Sequence, residues 1–126
     1  MNAKTPILVG VGQVLNRIEH LDEAKEPIVM MLQAIRSAAE DAGIPDLLRK
    51  TQSVRVVRGI WGYKNPAKWI ASQLGAHQAE TVGTLIGGNQ NQAVINQTAL
   101  EVAEGKLDLV VITGAEDGNS AMKARK

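Results

Sequence analysis

Four short runs rich in Val, Ile and Leu, each separated from the next by a stretch with helical spacing, restrict this chain more than any other feature. They run from Pro6 to Val11, Ser53 to Val57, Thr81 to Ile86 and Leu107 to Thr113. The order reads β-α-β-α-β-α-β, which places the chain in the α/β class. Short connections between strands and helices imply a parallel-type sheet with right-handed crossovers and helices on both faces. The last run, LDLVVIT, is almost continuously apolar. It reads as the central strand, covered by helices on both sides.

The helices between these runs have marked ends. Ile28, Met31, Leu32, Ile35, Ala38, Ala39 and Ala42 recur at helical spacing, with Pro27 suited to the first turn and Gly43 to the stop. A second helix opens with Asn65 as N-cap and Pro66 in the first position, and stops at Gly75. A third is expected from about Asn91 to Glu104, stopping at Gly105, with Asn96 and Gln97 as unusual amides in its body. After Thr113 comes GAEDGNS, a turn-rich stretch, and then AMKARK, which reads as the opening of another helix.

Composition excludes several classes of function. At 126 residues and 44% hydrophobic, the chain has the size of one small domain, residues 1–126. Its net charge of +1 comes from 14 basic and 13 acidic residues scattered along the sequence, so no footprint for nucleic acid or anionic lipid is present. No apolar run reaches the roughly 20 residues that span a bilayer, and the start MNAKTPILVGVG lacks a secretory pattern, so a cytoplasmic location without membrane contact is expected. With 0 cysteines, disulfides, thiolate metal sites and cysteine nucleophiles all drop out. His20 and His77 stand far apart without carboxylates at ligand spacing, so no metal site is expected.

A parallel sheet places sites beyond the carboxyl ends of its strands, so the loops after Val11, Val57, Ile86 and Thr113 are the places to search. The first, Gly10-Val11-Gly12-Gln13-Val14-Leu15, begins like a dinucleotide fingerprint but has Leu15 where a third glycine is needed. The stretch from Arg58 to Pro66 has two glycines and a lysine without Walker spacing. It is either a substrate-facing or subunit-facing loop, or an ordinary connection over a helix cap.

The most informative segment runs TVGTLIGGNQNQ, where a strand gives way to Gly87, Gly88 and Asn89 and then to an amide-rich helix start. Such a turn brings backbone N–H groups and a positive dipole end close to a ligand, suiting a bound carbonyl oxygen or oxyanion. Gly87, Gly88 and Asn89 are therefore the candidate substrate-binding residues. Alternatively, the glycines turn the chain and Asn89 caps the helix. Glu116 and Asp117 could supply a general base, but no partner group is evident and a solvated turn is the favoured reading. No catalytic residue is identifiable.

Taken in order, TPILVGVGQ, AIRSAAEDAGI, VVRGIWGYKNPA, TVGTLIGGNQNQA and EGKLDLVVITGAE resemble the start of the thiolase family. Arg58-Gly59 and Gly87-Gly88-Asn89 match the V-V-R-G and G-G-N of its acetyl-CoA acetyltransferase-like, sterol-carrier-thiolase-like branch. The resemblance implies a thiolase-like fold, represented by a partial N-terminal domain, and acyl transfer from acyl-CoA in lipid metabolism. It implies a coenzyme A thioester as substrate with no other cofactor, and a homodimer formed through the segment from Thr81 to Ile86. Thiolases attack the thioester with a cysteine whose position here falls within Ile86 to Asn89. That cysteine is absent, and the family's histidine and second cysteine belong to a later half. The implied function is thus an acyltransferase-like chain lacking its nucleophile, or a non-catalytic subunit that binds acyl-CoA or a partner. A free-standing domain would leave sheet edges and apolar surface uncovered.

Overall fold

The computed structural model describes residues 4–17, 19–44 and 46–117. The expected final helix, residues 121–126, lies outside them. Three helices and three strands follow in the order α1 (Pro27–Ala42), β1 (Ser53–Val56), α2 (Pro66–Gln73), β2 (Glu80–Gly83), α3 (Gln90–Ala103) and β3 (Val110–Thr113), with short 3-10 turns at Leu21–Glu23 and Leu47–Lys50. All pairing is parallel, in the order β2-β1-β3. The α/β architecture with a parallel sheet is as the sequence implies.

The helix ends follow their chemical signals. Pro27 begins α1, and Gly43 closes it in the left-handed conformation, donating its N–H to the carbonyls of Ala39 and Glu40. Asn65 caps α2, its Oδ1 accepting from the Lys68 N–H at 3.3 Å, with Pro66 in the first turn. The third helix is shifted by one residue from its expected limits.

Two sequence expectations are corrected. Residues 6–11 form no strand. Gly10 and Gly12 let this backbone lie against α1, where an added Cβ would overlap the carbonyls of Ala38 and Ala34, and the Val11 N–H donates to Asp41 Oδ2 at 2.9 Å. The segment is thus held by a helix rather than by a sheet edge. Second, the central strand is β1, not the apolar β3. Pairing on both sides and cover on both faces bury every residue of β1, whereas every residue of β3 is half-buried.

The core lies on one face of the sheet. Met31, Leu32 and Ile35 of α1 and Ala67, Ile70 and Ala71 of α2 close over Val54 and Val56. Alternation along the strand turns Ser53 and Arg55 to the opposite face, which α3 covers. There Arg55, 4% exposed, bonds Glu101 through both terminal nitrogens at 3.0 and 2.9 Å and Thr98 at 2.9 Å. Glu80 of β2 adds a longer contact at 3.4 Å. The hydrogen bond to Glu101 raises the guanidinium above its ordinary pKa, against the opposing effect of burial, and Arg55 holds the Glu101 carboxyl below the usual carboxylate range. This pair fixes α3, and with it the loop that opens α3, to the central strand.

Candidate functional site

The loops after β1, β2 and β3 meet at the carboxyl ends of the strands, around a cavity of about 810 Å³. Its upper wall is built from Arg58 and Gly59, from Gly87 and Gly88, and from Gly114 and Glu116. Residues 8–12 close one side. The loops after the three strands therefore reach one space, as a parallel sheet dictates, and the segment of residues 8–12 reaches it from its seat on α1.

Residues 58–63 form the most interconnected part of the rim. The Arg58 N–H donates to Thr84 Oγ1 at 3.0 Å, tying the loop after β1 to the loop after β2. On the other side the Ile60 N–H donates to Glu116 Oε1 at 2.7 Å and Trp61 Nε1 donates to the Ala115 carbonyl at 3.0 Å. Gly59 sits inside this clamp, where an added Cβ would overlap Glu116 Oε1 and Trp61 Nε1. Glu116 thus spends one carboxylate oxygen on holding this loop. The Arg58 guanidinium lies 4.9 Å from the Trp61 ring centroid and donates to the carbonyls of Trp61 and Tyr63 at 3.1 and 3.5 Å, so its charge is fixed at the rim. The Tyr63 hydroxyl faces Glu26 and the N-terminus of α1, and burial pushes its pKa above the ordinary phenol value.

The Gly87-Gly88 turn leads into the N-terminus of α3. Gly87 has φ 155°, a conformation that favours glycine, and an added Cβ would stand 3.0 Å from Asn89 Oδ1. Gly88 has open space where a side chain would project. Asn89 occupies the N-cap position, but its side chain makes no capping bond and it does not line the cavity; Asn91, one turn position inside the helix, does. The Gln90 N–H donates to the Gly87 carbonyl at 3.1 Å, and without a side-chain cap the N–H groups of Asn91 and Gln92 remain available to an incoming acceptor. Arg55 and Asn91 were not singled out by sequence. A cation in the middle of a β-branched strand and an amide in a first helical turn are the signals that could have found them.

No group of His, Cys, Asp and Glu residues suited to a metal ion occurs among the described residues, and no described helix is long and apolar enough to cross a membrane. No protein-family model and no curated protein matches the chain. A solved structure does: the crystal structure of a monomeric SCP2-thiolase like protein type 1 from Mycobacterium smegmatis, with a TM-score of 0.78 and 27% sequence identity over 92% of this chain. The chain spans 24% of that protein's length.

Proposed function

From the premise that this chain is a thiolase-like protein of the SCP2 branch, we propose that it handles acyl-CoA thioesters at the strand-end cavity as an acetyl-CoA acetyltransferase-like chain without a nucleophile of its own. The observation that carries this reading is the uncapped N-terminus of α3 behind Gly87 and Gly88, opening into a cavity whose rim carries Arg58. A thioester carbonyl oxygen accepts hydrogen bonds from the first-turn N–H groups of α3, which also present the positive end of the helix dipole. A helix end alone contributes about 0.3–1 kcal/mol toward a negative charge, too little for recognition. Arg58 therefore supplies the cation for the anionic coenzyme, and the turn supplies the carbonyl site. With 0 cysteines no acyl-enzyme forms on sulfur, so the chain orients the thioester and contributes no covalent step. No other cofactor enters this reading.

Calorimetric titration with acetyl-CoA and longer acyl-CoA thioesters tests it, with mass spectrometry of the protein in parallel. Binding without an adduct is expected. In Gly88→Cys, where the side chain has room, an acylated adduct is expected at that position. Absence of binding by every thioester overturns the acyl-CoA reading.

A partner-binding role has support of its own. The outer edge of β2 has no strand beside it among the described residues, and Leu85 and Ile86, just beyond it, are 80% and 64% exposed. We propose residues 81–86 as the homodimer contact, since pairing would cover that edge. The mycobacterial protein is described as monomeric, so sedimentation of this chain is the deciding measurement.

A further inference from the structure

Arg58 stands on a loop that no local regular structure holds. Residues 58–63 follow β1 without helix or strand, include Gly59 and Gly62, and carry the guanidinium on an exposed residue. A long cationic side chain in that setting samples many rotamers, and ordering it opposes any contact it makes with a ligand. Among the described residues no carboxylate forms an ion pair with it. Its direction is set by the loop itself.

The loop curls around the guanidinium. The carbonyls of Trp61 and Tyr63 accept from its two terminal nitrogens, it lies over the Trp61 ring, and the Tyr63 ring packs 5.2 Å from that of Trp61. This curl is pinned by the segment after β3, where Glu116 accepts the Ile60 N–H and the Ala115 carbonyl accepts the indole N–H of Trp61. Gly59, buried beneath both contacts, leaves no room for a side chain. The bond from the Arg58 N–H to Thr84 fixes only the backbone where the curl begins. Thr84 thus anchors the root of the Arg58 side chain, while Glu116 and Trp61 govern its charged end.

Glu116 is at first sight an unfavourable neighbour. It lines the same cavity as Arg58, and its negative charge opposes an anionic ligand bound there. What it contributes is an acceptor, for a bond of 2.7 Å from the Ile60 N–H, as short as charge-assisted hydrogen bonds are. We propose that Glu116 and Trp61 are positioning residues for Arg58, holding its guanidinium at the cavity so that an anionic thioester meets a cation already ordered. The identity of the ligand rests on the acyl-CoA reading; the ordering of Arg58 does not.

A double-mutant cycle on the full chain tests the assignment, with acetyl-CoA affinity measured by calorimetry. Arg58→Gln and Glu116→Ala are each expected to weaken binding on the order of ten-fold, and the double variant no further than Arg58→Gln alone. Glu116→Gln, which keeps the acceptor and removes the charge, is expected to bind at least as tightly as wild type. Glu116 is exposed, so these changes leave the core intact. Trp61→Leu, with the same loss expected, replaces Glu116→Ala should that variant unfold. A readout free of ligand accompanies the cycle: the Arg58 Hδ protons are expected upfield in NMR spectra, under the Trp61 ring current, in wild type and Glu116→Gln but not in Glu116→Ala. Losses that multiply in the double variant, an upfield shift retained in Glu116→Ala, or Glu116→Gln binding as weakly as Glu116→Ala would each overturn the proposal. Should wild type bind no thioester, the acyl-CoA reading falls, and the ring-current shift alone decides whether Glu116 positions Arg58.

Discussion

Strands β1 and β3 lie side by side in parallel register, Val54 beside Val111 and Arg55 beside Ile112, yet their surroundings invert what their sequences suggest. VVIT is wholly apolar apart from its last residue and is only half-buried, while SVRV carries a cation and is buried throughout. Position in the sheet decides burial, and β1 holds the central place because both neighbours pair with it. The cation at its centre is tolerated because Glu101, Thr98 and Glu80 surround it. Apolar sequence in β3 then marks a surface with space beside it rather than a finished core.

The largest expected effect tests the cover over β1. Ile70→Ala, at a side chain with 0% exposure, is expected to lower unfolding free energy in urea by about 3–4 kcal/mol. The matched change in β3, Ile112→Ala, is expected to cost only about 1 kcal/mol, because that side chain is half-buried. Equal losses would erase the contrast between the two strands.

Arg55→Met comes next. Removing the buried cation from its pair with the partly exposed Glu101 is expected to cost about 2–3 kcal/mol, measured by the same unfolding curve. A neutral or stabilising result would show that packing rather than the ion pair fixes α3 on the sheet. Smaller again is Gly59→Ala, which forces apart the contacts of Glu116 and Trp61 at the top of β1. About 2 kcal/mol is expected, with a red shift of Trp61 emission as its indole leaves the Ala115 carbonyl.

The pH dependence sharpens the same comparison. Glu101 is lowered by its hydrogen bond and charge interaction with Arg55, so its contribution is complete above the ordinary carboxylate value of about 4.3 and is lost as pH falls through the lowered folded value. The Tm difference between wild type and Glu101→Gln is expected to stay level from about pH 7 to 5 and to shrink below about pH 4. A difference that grows on acidification would remove Arg55 as the cause.

Much of this was legible in the sequence, because it depends on local chemistry. Pro27 and Gly43 bound α1, Asn65 and Pro66 open α2, and the strand-helix alternation placed the loops after β1, β2 and β3 at one end of the sheet. The Gly87-Gly88 turn was legible for the same reason. Asn89 was not legible as a side chain outside the cavity, since a shift of one helix position changes the direction it faces, and Asn91 lies where Asn89 was expected to act.

By itself, then, the sequence determined where helices start and stop, which segments are apolar, and that none of these 126 residues supplies a thiol. These follow from backbone freedom, periodicity and composition, which act within a few residues. Only the tertiary structure decided which strand is central, that residues 6–11 seat on α1 instead of pairing, and that Arg55 meets Glu101 across 46 positions. Each of those depends on which distant backbone edge or side chain is the more stable occupant of a shared space, and periodicity along one segment carries no record of that.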